Sequence, residues 1–113
     1  MTLNLNYVST RSNTKPKIIR IVKLSFHHKN TKVFLANFET NKTKIRNFPG
    51  CEKLELLRDK NETNVFFTYS YWKSEKDLDT YRNSELFKGI WAKTKTLFNN
   101  KPLAWSVERL ERL

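Results

Sequence analysis

The sequence predicts a single α+β domain in which one antiparallel sheet is covered by helices. Three observations carry this expectation. Segments of apolar-polar alternation, the mark of strands, are interleaved with segments whose apolar residues recur every three or four positions, the mark of helices. Gly and Pro number only two and three among 113 residues, too few for a turn-rich all-β fold. Eight Phe, four Tyr and three Trp supply the bulk of one core, at a length that makes one domain.

The elements follow in order. Residues 1–17 are polar, rich in Asn, Ser and Thr, and end in a Lys-Pro-Lys step. They read as a flexible arm. Ile18 to Phe26 alternates, with Ile19, Ile21 and Lys23 on one face and Ile18, Arg20, Val22, Leu24 and Phe26 on the other, which predicts the first strand. Asn30 or Thr31 then caps a helix over about Lys32 to Asn47. Phe34, Phe38, Asn41, Ile45 and Phe48 fall on one helical face, widened by Leu35. Pro49-Gly50 stops it.

Cys51 to Asp59 is the second strand, and Lys60 to Thr63 a short hairpin connection. Asn64 to Trp72 is the third and strongest strand. Val65, Phe67, Tyr69 and Tyr71 lie on one face, and Phe66, Thr68, Ser70 and Trp72 on the other. Both faces carry apolar side chains, yet one layer of helices covers one face. The second face needs a partner, and this predicts a homodimer.

Ser74, with Asp77 three residues on, starts a second helical region, and Ser84 with Glu85 starts it again. Leu86, Phe87, Ile90, Trp91, Leu97 and Phe98 form its apolar stripe, which Asn99 to Pro102 ends. Leu103 to Glu108 is the fourth strand, with Leu103, Trp105 and Val107 on one face. The order β-α-β-β-α-β is the ferredoxin-like arrangement.

Composition restricts the function. The net charge of +11 invites a nucleic-acid partner. Against it, the basic residues are scattered along the chain, and Lys outnumbers Arg fifteen to seven. With twelve Asn, this is the composition an AT-rich genome produces without selection for a partner. No helix-turn-helix, zinc-finger or RNA-binding signature is present. The lone Cys51 makes no intrachain disulfide and no zinc cluster, and it reads as a small apolar residue opening a strand rather than a nucleophile. No apolar run is long enough to span a bilayer. Met1 to Asn6 lacks a cationic start before an apolar stretch, so the expectation is a cytoplasmic protein with no secretory leader and no membrane partner. No Gly-rich phosphate loop, His-x-x-x-His pair or nucleophile elbow occurs, and no metal site is expected.

The runs Phe48-Pro49-Gly50-Cys51, Leu54 to Asp59 and Phe66 to Glu75, continued by Leu78, Tyr81, Ser84, Phe87, Trp91 and Ala104-Trp105-Ser106, resemble the antibiotic biosynthesis monooxygenase family. The resemblance covers Ile18 to Arg109. It implies a dimeric α+β barrel, in which two four-stranded sheets pack face to face and each protomer keeps a pocket between its sheet and helices. The family's catalytic members are cofactor-free monooxygenases of polycyclic phenols, quinol oxidases and a haem-degrading branch.

The haem-degrading branch uses an Asn on the first strand, a Trp ending the third and an axial His on the last helix. Trp72 matches the Trp. The Asn falls near Lys23 and the His on Trp91, which cannot ligate iron. The phenol-oxidising branch places an Asn four residues before the matching Trp, and here that residue is Thr68.

The resulting expectation is a cofactor-independent monooxygenase or quinol oxidase of an aromatic small molecule. The alternative is a non-catalytic dimeric ligand-binding or stress-response module of the same fold. Oxygenation without a cofactor needs a substrate that becomes an electron-rich anion, an apolar pocket with stacking walls, and polar groups that handle its proton. Trp72, Thr68 and Tyr69 are the catalytic candidates. Trp91, Phe87, Ser70 and Lys23 are the substrate-binding candidates. Tyr71 and Tyr81 are further proton relays, Tyr81 being expected at the surface of its short helix. His27 and His28 are read as solvated turn residues.

Overall fold

The computed structural model describes residues 17–113, so the expected arm lies outside the described residues but for Lys17, whose Nζ pairs with Glu52 at 2.9 Å. The chain runs β1 (Ile18–Ser25), α1 (Thr31–Arg46), β2 (Cys51–Arg58), β3 (Val65–Trp72), α2 (Glu75–Arg82), α3 (Glu85–Thr94) and β4 (Leu103–Glu108). The four strands form one antiparallel sheet in the order β2-β3-β1-β4. This is the expected ferredoxin-like α+β fold.

β1 and β3 take the centre. Their register pairs Arg20 with Ser70 and Val22 with Thr68, so these four share the helix-covered face. On the opposite face Ile19 pairs with Tyr71, Ile21 with Tyr69 and Lys23 with Phe67. Past the last residue of β1, Phe26 meets Phe98 in an isolated bridge, and Asn64 Nδ2 donates to the Phe26 carbonyl at 2.8 Å.

The core divides into two clusters under the helices. One gathers Ile45, Cys51, Trp72, Leu78 and Tyr81, the other Leu24, Phe26, Phe34 and Phe66. α1 spans both through Phe34 and Ile45, eleven residues or about three turns apart on one side of the helix. Phe26 is the hub of the second cluster, with rings of Phe34, Phe66 and Phe98 at 4.4, 5.9 and 5.2 Å.

The two serine caps form as expected. Ser74 Oγ accepts from the Asp77 amide and Ser84 Oγ from the Phe87 amide, each at 3.1 Å. The cap of α1 differs from expectation. Asn30 Nδ2 donates across the fold to the Leu97 carbonyl at 3.2 Å, and Thr31 Oγ1 donates to the His28 carbonyl at 2.9 Å, so neither side chain caps the helix. The last helix also stops earlier than its apolar stripe. α3 ends at Thr94, Lys95–Leu97 form one 3₁₀ turn, and Phe98 is already extended to reach Phe26.

In the β2-β3 connection the Asp59 carboxylate accepts from the Glu62 amide at 2.7 Å and the Asn61 amide at 3.0 Å. These bonds, that from Glu62 foremost, hold its carboxyl below the usual range. A group with a depressed folded pKa supports the fold above its unfolded value and loses that support as pH falls. In an NMR titration the Asn61 and Glu62 amides should therefore report a midpoint below about 3.9, the free Asp value. A midpoint at or above that value contradicts the assignment.

Candidate active site

The helix-covered face of the sheet does not close completely. Between it and the helices lies a cavity of about 540 Å³ whose lining comes from both core clusters. Its floor is the four-residue patch set by register, Arg20, Val22, Thr68 and Ser70, bordered by Leu54 of β2 and Ala104 of β4. Its roof is built by Phe34 and Phe38 of α1, Tyr81 of α2, and Phe87 and Trp91 of α3. Phe87 and Trp91, one helical turn apart, lie nearly parallel at 5.9 Å and 10°.

Trp72 is both wall and core. It is 1% exposed, and its indole stacks on the Tyr81 ring at 4.9 Å and 26°. Its Nε1 donates to Ser70 Oγ at 2.9 Å, which leaves the Ser70 hydroxyl proton free for another acceptor. Burial pushes the Tyr81 hydroxyl well above the ordinary phenol value, and the neighbouring Cys51 adds to this. Tyr81 therefore stays protonated and can donate, but it is no base. The expectation that Tyr81 sits at the helix surface is corrected, since it is 9% exposed. Cys51 is buried, and burial raises its thiol pKa, as suits a core residue.

Of the residues singled out in the sequence, Trp72, Thr68, Ser70, Phe87 and Trp91 line this one cavity. Tyr69 and Lys23 do not join them, because strand alternation turns both to the opposite face. There Tyr69 and Tyr71 hydroxyls meet at 3.4 Å, Arg109 donates to Tyr71, and Lys53 Nζ sits 4.8 Å from the Tyr71 ring centre.

Sequence reasoning overlooked three charged lining residues, Arg20 of β1 and Asp79 and Arg82 of α2. The signal was present in Arg20, a charge at the inward parity of an apolar strand. Asp79 and Arg82, three apart on α2, are 3.7 Å apart at Oδ1 and Nη1.

Trp91, which the resemblance aligns with the axial His of the haem-degrading branch, lines the cavity and cannot ligate iron, while His27 and His28 are exposed and outside the lining. Among the described residues no group of three or more His, Cys, Asp or Glu could hold a metal ion, and no helix is long and apolar enough to cross a membrane.

The fold recurs in solved structures. A candidate antibiotic biosynthesis monooxygenase from Caulobacter crescentus aligns at 21% identity with a TM-score of 0.79, covering 90% of this chain and 99% of its own. A conserved protein from Methanosarcina mazei aligns at 14% identity and 0.80, covering 86% and 96%. A Pseudomonas aeruginosa protein aligns at 16% and 0.77, covering 87% and 98%. At these identities the likeness is one of fold. No curated protein matches the chain. The family model for antibiotic biosynthesis monooxygenase matches residues 17–93, which hold β1 to β3 and nearly all of the helical roof of the cavity. Shared fold and matched sequence agree, and the chain belongs to the antibiotic biosynthesis monooxygenase family.

Proposed function

We propose that this protein is a cofactor-independent monooxygenase or quinol oxidase of an aromatic small molecule, acting in the cytoplasm as a homodimer. The observation that carries the reading is the cavity beneath β3, aromatic on its roof and hydroxyl-bearing on its floor. A flat ring fits between such walls, and stacking adds to the apolar burial.

The chemistry balances without a protein-derived electron. A hydroquinone gives two electrons and two protons to dioxygen, leaving the quinone and hydrogen peroxide. An anthrone methylene takes one oxygen atom to become a carbonyl, and its two hydrogens leave with the other oxygen atom as water. In both cases loss of the first proton generates the anion that reacts. Ser70 and Tyr81 can donate hydrogen bonds to an anionic oxygen, and Thr68 offers a third hydroxyl on the floor.

Oxygen uptake with a panel of hydroquinones and anthrones tests the reading. Uptake is expected with at least one of them. Trp91→Leu should lower kcat/KM roughly tenfold, about the effect of losing one stacking wall. No uptake with any member would reject the oxygenase. It would favour the second reading, a binding module, for which Thr68 at the position of the family's Asn is the supporting observation. A ligand found by native mass spectrometry, without turnover, would be its mark.

The homodimer rests on the open sheet face. Leu57, Leu103, Trp105 and Val107 are there 46%, 47%, 45% and 40% exposed, beside half-buried Phe67, Tyr69 and Tyr71. Such a patch on a small domain marks an interface. A second copy would cover it and also shelter Tyr69 and Lys23. Trp105→Glu is expected to weaken the dimer at least about thirtyfold, the scale of a central aromatic contact. Analytical ultracentrifugation would show it, and an unchanged dimer would place the interface elsewhere.

A further inference from the structure

We propose that the cavity selects an aromatic ligand bearing an anionic oxygen, a carboxylate or an ionised phenol, and that Arg20 and Arg82 bind that oxygen. This rests on the reading of the cavity as the substrate site and narrows the substrate class.

Three observations carry it. First, Arg20 lines the cavity from the helix-covered face of β1, where its neighbours on that face, Ile18 and Val22, are apolar. Its Nη1 donates to Ser106 Oγ at 2.9 Å, a neutral acceptor. Among the described residues no carboxylate lies within ion-pair distance of it. Second, Arg82 lines the same cavity from the last turn of α2, and the single lining carboxylate, Asp79, is its partner. Two guanidiniums and one carboxylate leave one positive charge uncompensated at an apolar cavity. Third, partial burial lowers the pKa of Arg20, and repulsion from Arg82 adds to it, with Asp79 opposing. Both cations line one cavity, and an anion held there would offset their charge.

A guanidinium presents five N–H groups in a planar fork, the geometry that carboxylates and phenolates accept. Such a site would also hold a bound phenol in the ionised form that dioxygen attacks.

The test is binding, not turnover, read by tryptophan fluorescence on the full chain. 2-Naphthoate should bind at least tenfold tighter than its neutral isostere 2-naphthamide. Arg82→Gln, at a side chain 47% exposed, should fold normally and lose most of that preference, and Arg20→Gln should do the same. Lysine at either position should restore part of it. Bound 4-nitrophenol should show its yellow anion at a pH where the free phenol is colourless. A colourless complex, with naphthoate still preferred, would assign the carboxylate as the group recognised. Equal binding of naphthoate and naphthamide with a colourless nitrophenol would overturn the anion site alone. Failure of every probe to bind would overturn the site and the substrate cavity together.

Discussion

Replacing Trp72 with alanine is expected to cost about 3–5 kcal/mol of stability and to lower the thermal midpoint by more than about 10 °C. Trp72 is 1% exposed and joins the first core cluster to the cavity wall. Truncation removes its stack on Tyr81, its edge contact with Phe48 at 6.5 Å, and the only indole bond to Ser70. The hole would lie beside an existing cavity, so the surroundings have little to collapse with. Activity lost in Trp72→Ala therefore reports unfolding before it reports chemistry. Trp72→Phe separates the two. It keeps a ring against Tyr81 and frees Ser70 Oγ, and should cost about 1–2 kcal/mol. Chemical denaturation of both variants checks the order. A Trp72→Ala protein as stable as the parent would deny Trp72 its place in the core.

Gly50→Ala should cost about 2–5 kcal/mol, an effect out of proportion to one methyl group. Gly50 has φ of +90°, where a Cβ is strained by about 1–2 kcal/mol. An added Cβ would also stand 2.4 Å from Asp77 Cβ, within the first turn of α2, so that something must move. The turn has little freedom. Cys51 N donates to the Phe48 carbonyl at 2.9 Å, and Lys73 N donates to the Gly50 carbonyl at 2.8 Å. Asp77→Gly removes the atom that collides but leaves the backbone strain. Calorimetry on the double-mutant cycle should thus show partial rescue. Strict additivity would mean that the loop moves away from α2 at no cost.

Much of this was legible in the sequence because its signals are local. Alternation in 65–72 set the two faces of β3, Ser74 and Ser84 marked helix starts by short-range bonds, and Pro49-Gly50 marked the end of α1. What stayed hidden was non-local. Asn30 is a good cap residue, but its amide is drawn 67 residues away to Leu97, and no local rule anticipates that competition. Phe98 leaves its helical stripe for the same reason, to stack on Phe26. The site was half legible. Thr68, Ser70 and Trp72 share the parity that the alternation assigns to the covered face. Tyr69 and Lys23 carry the other parity, so strand geometry alone separates them from Thr68. That Arg20 and Arg82 line one cavity needs the third dimension, since 62 positions separate them.

An aromatic molecule is expected to enter the cavity beneath β3. The three indole N–H signals in a proton-nitrogen NMR spectrum test it most directly, because Trp72 and Trp91 line that cavity while Trp105 lies on the open sheet face. On titration with 1,4-naphthohydroquinone under nitrogen, the Trp72 and Trp91 signals should shift together and Trp105 should stay. A shift confined to Trp105, or no shift in any of the three, would mean that the ligand does not occupy this cavity.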